Sequence, residues 1–322
     1  IQGEKNNPPL YHFLLHYWIK IFGKSEASTR LMSAIFGILS IFAIYKLGNE
    51  LFDQKTGILA TFLLAISPFH IHFCQETRAY SLVLLLTLCS TYYFISFIKS
   101  CNMSRLFTFS LFSLLSIYTH YFAFFVLAPQ NIYIFCKRKA YRKHLFLWFL
   151  CQLLLFLCYL PWTFSLLQAL HSGKERYLSH LYLRIPYTLM VFNLGYSGVI
   201  INMYAKQNLI QTVLSHKFLL TALSLTITPI FLIGLRTLWQ KEKRWGRFVI
   251  LYFFLPFLFT LAIWVFLKIP LFGERYFIIV LPAYHFIISI GILSIQHHKM
   301  QKLFLIGIIM ITFFSLKNYY FN

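Results

Sequence analysis

Two short segments place charged residues where the flanking sequence is apolar. Gln75-Glu76-Thr77-Arg78-Ala79-Tyr80 follows Ser67-Pro68-Phe69-His70-Ile71-His72 with almost no spacer, and Phe272-Gly273-Glu274-Arg275-Tyr276 runs straight into an apolar stretch. Ionisable groups at a membrane edge are costly unless they are paired or functional. Glu76 and Arg78 therefore read as active-site groups, with a self-satisfying ion pair at a helix end as the plainer alternative. At Arg275 a planar guanidinium fork can grip a phosphate through two N–H donors. The competing reading is an arginine whose stem lies along lipid while its head reaches water. Arg30 follows Ser25-Glu26-Ala27-Ser28-Thr29 at the opening of a long apolar run, and alone it reads as an interfacial anchor. His70, His72, His120 and Tyr121 fall near the same edges. Two histidines at i and i+2 do not share a helix face, so a metal pair there is not expected. A divalent metal held by Glu76 and a single histidine is the reading that stays open.

The elements that must position these groups are membrane helices. Of 322 residues 59% are hydrophobic and only 11% charged, with a mean hydropathy of +0.69; a soluble domain carries roughly a quarter charged residues. Apolar runs long enough to cross a hydrocarbon core of about 30 Å are expected at roughly 28–50, 57–74, 80–98, 105–119, 121–136, 144–164, 216–238, 248–267, 276–295 and 302–319. Residues 10–22 are too short and too polar to cross, so an interfacial helix is expected after Pro8-Pro9. The fold class is thus all-α and polytopic: one transmembrane domain over 1–322, with about ten spanning helices plus that interfacial helix. The six cysteines lie in or beside apolar runs without a C-x-x-C pair, the pattern of buried thiols.

A formal net charge of +21 does not mark a nucleic-acid binder, because Lys and Arg concentrate in the short gaps between apolar runs, as topology determinants do. Charge parity also divides 105–136. With two helices there, the basic gaps at 46–56, 99–105, 137–143, 236–247 and 296–302 all fall on one side, expected to be cytoplasmic. A single helix would set the basic cluster at 137–143 opposite that at 99–105. Glu50, Asp53 and Glu242 then lie among cytoplasmic basic residues and read as solvated, whereas Glu4, Glu26, Glu76, Glu175 and Glu274 lie outside. The long gap 165–215 is expected as an extracytoplasmic loop folded onto the membrane surface as short helices, with Tyr177, Tyr182, Tyr187 and Tyr196 at the interface.

Five groups of residues, in order, resemble the dolichyl-phosphate-mannose-protein mannosyltransferase-like family of membrane glycosyltransferases. They are Asn7-Pro8-Pro9-Leu10-Tyr11; Phe22-Gly23-Lys24-Ser25-Glu26 with Arg30-Leu31; Ser67-Pro68-Phe69-His70 running into Gln75-Glu76-Thr77-Arg78-Ala79-Tyr80-Ser81; Tyr118-Thr119-His120-Tyr121-Phe122; and Glu274-Arg275-Tyr276 with Leu281-Pro282. The resemblance implies a GT-C-type bundle with its active site on the extracytoplasmic face of the plasma, or cell inner, membrane. It further implies transfer of a hexose or pentose, usually with inversion, from a polyprenyl-phosphate carrier to a lipid, glycan or protein acceptor. Under it Arg275, Tyr276 and Arg30 are candidates for the donor phosphate, Glu76 and Arg78 for supporting catalytic groups, and His70, His120 and Tyr121 for the cavity wall. The family's catalytic base is an acid just after its first transmembrane helix. The chain begins with Ile, so both that helix and the base are expected to lie upstream of residue 1. A transporter or flippase of a polyprenyl-linked sugar is the rival from another class; such proteins show internal repeats and polar groups near the membrane midplane, neither of which is evident here. Membrane lipids are expected partners; nucleic acid is not.

Overall fold

The computed structural model describes residues 8–139, 141–171, 181–196, 217–242, 244–269 and 272–321. Among them every regular element is helical. The chain runs through α1 (Leu10–Phe22), α2 (Glu26–Leu51), α3 (Gln54–Ile66), α4 (Pro68–Cys74), α5 (Tyr80–Ser100) and α6 (Met103–Ile117). A 3-10 turn at Tyr121–Ala123 leads into α7 (Phe124–Cys136), followed by α8 (Arg142–His171), α9 (Leu181–Leu194), α10 (Lys217–Gln240) and α11 (Gly246–Leu267). A 3-10 helix, Glu274–Val280, continues as α12 (Leu281–Leu293), and α13 (His298–Phe321) ends the described chain.

All ten expected spans are helical, but three are not single full-length crossings. Among the described residues seven stretches are long and apolar enough to cross a membrane: α2, α5, Leu145–Ser165 within α8, α10, α11, Glu274–Leu293 and α13. The segment 57–74 is bent by 62° between α3 and α4. The cause is local: the residue before a proline avoids helical geometry, and Ser67 is extended at ψ 119° with its hydroxyl accepting the His70 N–H. At 15 and 13 residues, α6 and α7 are shorter than the roughly 20 a full crossing needs. They are separate helices, broken at Tyr118–His120. Within 165–215, expected to fold as short helices, α8 runs on to His171 and α9 occupies Leu181–Leu194; Lys174, Glu175, Arg176 and Tyr177 lie outside the described residues.

Two elements form the centre of the bundle. In their most apolar windows Glu274–Leu293 is 89% buried and α5 is 78% buried, against 17–22% for α8, α10 and α13, whose Phe and Leu side chains face outward. Helix α1 lies across this core, with Tyr11 buried among Met32, Leu82 and Leu86. Its ends are tied by Leu10 N–H to Tyr118 O at 3.0 Å and by Trp18 Nε1–H to Ser28 O at 2.9 Å.

The helices alternate between two ends. At one, Lys99 pairs with Glu50 at 3.1 Å, and Tyr133 stacks on Trp245 with ring centroids 5.1 Å apart. At the other, the His120 ring lies 5.7 Å from Tyr80 and 5.1 Å from Tyr276. The gaps carrying most of the basic residues therefore collect opposite Glu76 and Arg275.

Helices α10 and α12 cross at a reciprocal pair of glycines. A Cβ on Gly234 would stand 2.0 Å from Ile287 O, and one on Gly291 would stand 2.1 Å from Ile230 O. Without an apolar driving force between helices in lipid, such close backbone packing is a main source of association. Gly291→Ala should therefore destabilise the bundle by about 1–3 kcal/mol, read as a lower detergent-unfolding midpoint. Gly307→Ala, where a new Cβ meets only the Thr226 side chain at 3.1 Å, should cost clearly less; equal costs would remove the close-crossing explanation.

Candidate active site

The bend at Ser67 and the brevity of α4 deliver His72 and Glu76 one helical turn apart at the mouth of the bundle. His72 Nε2 lies 3.3 Å from Glu76 Oε1, and Arg78 Nε lies 3.8 Å from Glu76 Oε2. Burial by itself would push the Glu76 carboxyl up, but the His72 hydrogen bond and the charges of Arg78 and Arg275 outweigh it. The group is held below the usual carboxylate range. Glu76 thus stays ionised at neutral pH. The stabilisation from its pairing is complete above the ordinary carboxylate pKa and is lost only as pH falls through the depressed one.

Arg275 comes from across the bundle, on the 3-10 helix that follows Gly273. Its guanidinium lies 5.2 Å from the centre of the Tyr276 ring, with Nη2 donating to the Tyr276 hydroxyl at 3.4 Å. Its charge reaches Glu76, His120 and Tyr196. Beneath these charges runs an aromatic wall of Phe73, Tyr80, His120, Tyr276 and Phe122, successive ring centroids lying 4.7–5.7 Å apart. His120 is pulled down to about 4, mainly by burial and secondarily by Arg275, so it is neutral at physiological pH. Its Nδ1 accepts the Phe122 N–H at 3.2 Å, which leaves the ring proton on Nε2.

Helix α9 closes one side. Gly195 adopts φ +55° and packs so tightly that a Cβ would stand 2.9 Å from the Pro68 backbone. This close approach sets the Tyr196 ring 4.7 Å from His72. Arg184 Nη1 pairs with Glu274 Oε1 at 3.1 Å, and the Tyr284 hydroxyl donates to Asn193 Oδ1 at 2.9 Å. The helix is thereby fixed to the element that carries Arg275.

Of the residues singled out in the sequence, Glu76, Arg78, Arg275, Tyr276 and His120 converge. Arg30, on the exposed start of α2, is engaged by Glu26 at 2.5 Å. His70 points inward, with Nε2 3.5 Å from Cys74 Sγ. Tyr121 turns toward Trp162 on α8. Sequence reasoning missed the part played by His72, Tyr196, Arg184 and Tyr319, whose hydroxyl lies 3.0 Å from His72 Nδ1. The one available signal was the i, i+4 spacing of His72 and Glu76. For a divalent cation the residues present fit poorly: the pair supplies two donors, and the carboxylate already faces the Arg78 and Arg275 charges. Among the described residues no three His, Cys, Asp or Glu side chains converge.

Fold and site together define a polytopic helical membrane protein with a cationic, aromatic-walled site at one end. The family model for dolichyl-phosphate-mannose-protein mannosyltransferase matches residues 6–163, a segment that holds Glu76, Arg78 and His120 but not Arg275. Over that segment the chain is similar to mannosyltransferase-like membrane proteins. ArnT from Cupriavidus metallidurans in the apo state shares its fold at a TM-score of 0.54 and 14% identity, over 94% of this chain and 52% of that one. The archaeal oligosaccharyltransferase AglB from Archaeoglobus fulgidus, in complex with an inhibitory peptide and a dolichol-phosphate, does so at 0.56 and 14%, over 96% and 47%. The Archaeoglobus fulgidus oligosaccharyltransferase complex with Zn and sulfate matches at 0.54 and 15%, over 98% and 43%. The chain thus spans about half the length of these solved structures, and at such identities the likeness is one of fold. No curated protein matches it.

Proposed function

We propose that this site transfers a sugar from a polyprenyl-phosphate donor to an acceptor hydroxyl on the extracytoplasmic side of the membrane. The observation that carries the reading is the convergence of Arg275, Arg78 and Glu76 at the bundle end remote from the basic gaps. In the reaction the acceptor oxygen attacks the anomeric carbon from the face opposite the phosphate, so configuration inverts. The bond from that carbon to the phosphate oxygen breaks, polyprenyl phosphate departs with an added negative charge, and the proton of the acceptor hydroxyl passes through solvent to the released phosphate. Arg275 meets that charge with a fixed guanidinium whose orientation Tyr276 holds, so little reorganisation accompanies the step. The wall of Tyr80, His120 and Tyr276 offers ring faces to the sugar, and the outward Phe- and Leu-rich helices suit the polyprenyl tail.

Glu76 orients groups in this scheme and does not take the acceptor proton, because a carboxylate stabilised by two guanidinium charges and a histidine hydrogen bond is a weak acceptor. The other described acids at this end are engaged too, Glu26 by Arg30 and Glu274 by Arg184. Glu76→Gln is expected to lower transfer by about 10-fold, the scale of one charge-assisted hydrogen bond. The shape of the rate profile from about pH 5 to 8 should be retained. Complete loss of transfer, with disappearance of a pH-dependent limb, would instead make Glu76 the base.

The decisive experiment for the function uses the purified chain in nanodiscs with three lipids: a polyprenyl-phosphate sugar, the polyprenyl phosphate and the bare polyprenol. Binding of the two phosphates but not the alcohol, with sugar release from the first, is the expected result. Equal binding of all three removes the phosphate site. Movement of the intact donor between leaflets of sealed vesicles, with its sugar–phosphate bond unbroken, would replace transfer with transport.

A further inference from the structure

Tyr319 stands near the end of α13, more than 150 residues beyond the segment 6–163 that carries the family match. Its hydroxyl lies 3.0 Å from His72 Nδ1, and His72 Nε2 lies 3.3 Å from Glu76 Oε1. A phenol, an imidazole and a carboxylate therefore stand in line, ending on the group that faces Arg78 and Arg275. An ionised carboxylate only accepts hydrogen bonds, so the His72 nitrogen facing Glu76 must carry a proton. In the neutral ring Nδ1 is then an acceptor, and the Tyr319 hydroxyl is the donor that matches it. The ring is held in place on its other sides, Tyr196 lying 4.7 Å away and Phe73 5.0 Å away in an edge-on contact. A second tie runs from the same helix end to the same turn, where Gln75 Nε2 donates to the Tyr320 hydroxyl.

We propose that Tyr319 is a positioning residue that fixes His72 as its Nε2-protonated tautomer, and that His72 in turn sets the Glu76 carboxylate in the transfer site. The last helix is thus a working part of the site as well as a wall of the bundle. The purpose assigned to this relay rests on the transferase reading, whereas its hydrogen-bond logic does not.

Nitrogen-15 NMR of the full chain in nanodiscs, with labelled histidine, tests the two separately. The His72 resonances are identified by their loss in His72→Gln. The expected result is one neutral tautomer with Nδ1 unprotonated, becoming a mixture of both tautomers in Tyr319→Phe while the His120 resonances stay in place. A wild-type His72 protonated on Nδ1, or an unchanged tautomer in Tyr319→Phe, overturns the proposal. In steady-state transfer, Tyr319→Phe should lower kcat by about 2–10-fold with donor KM unchanged, the scale of one hydrogen bond. An unchanged kcat beside a mixed tautomer would overturn the link from His72 to the transfer site. If the tautomer responds as expected and even the wild-type chain transfers no sugar from any polyprenyl-phosphate donor, the relay stands and the transferase reading falls.

Discussion

Arg275→Ala is expected to lower sugar transfer by about 100–1000-fold, the range seen when a preorganised donor to a developing oxyanion is removed. The size of the effect follows from placement. The guanidinium is half-buried over Tyr276, hydrogen-bonded to its hydroxyl, and surrounded by rings that limit competing water. A charge in such surroundings acts on a departing phosphate more strongly than it would in bulk water. Arg275→Lys should also be impaired, by about 10-fold or more, because an ammonium keeps the charge but loses the planar fork and the stacking on Tyr276. Donor affinity and turnover measured together separate the contributions. A fall confined to KM places Arg275 in ground-state binding alone, and a matched fall in kcat places it in the transition state. Wild-type behaviour in Arg275→Ala would leave only an interfacial arginine with its head in water.

The second large effect should appear in stability. Glu274 and Arg184 keep only 11% and 20% of their side chains exposed, and their pairing at 3.1 Å joins α9 to the segment that presents Arg275. Removing one partner of a buried ion pair leaves an uncompensated charge and costs about 3–5 kcal/mol. Glu274→Gln is accordingly expected to lower the detergent-unfolding free energy by about 3 kcal/mol, the lower limit because both groups retain some access to solvent. Transfer should fall with it, since Glu274 immediately precedes Arg275. The charge swap Glu274→Arg with Arg184→Glu should restore part of the stability if pairing is the cause. A double variant no more stable than Glu274→Gln would assign the loss to packing around residue 274.

The contrast between what was legible in the sequence and what was not runs along the same residues. Apolar run length and the scarcity of charge determined a polytopic helical membrane chain, since a bilayer leaves a continuous backbone few options besides helix. The position of basic residues alone divided 105–136 into two helices, and His120 at that break does stand beside Tyr80. Charged residues embedded in apolar sequence marked Glu76, Arg78 and Arg275, because their desolvation needs a reason. The length of each crossing was less legible. The run 57–74 reads as apolar and continuous by hydropathy, whereas the backbone geometry at Ser67-Pro68 breaks the helix.

Only the tertiary structure decided which of the marked residues share a site. His70 and His72 differ by two positions on one short helix, which turns the first toward Cys74 inside the bundle and the second toward Glu76 at its mouth. Arg30 and Arg275 carry the same charge near apolar runs, yet one is engaged by Glu26 on an exposed helix start and the other lies over Tyr276 in the aromatic wall. Tyr319 meets His72 across 247 positions. Pattern and composition act through neighbours in sequence and so determine helices and their polarity. The site is made by groups that become neighbours only when α4, α9, α13 and the Glu274–Val280 segment pack together, and no local periodicity encodes that meeting.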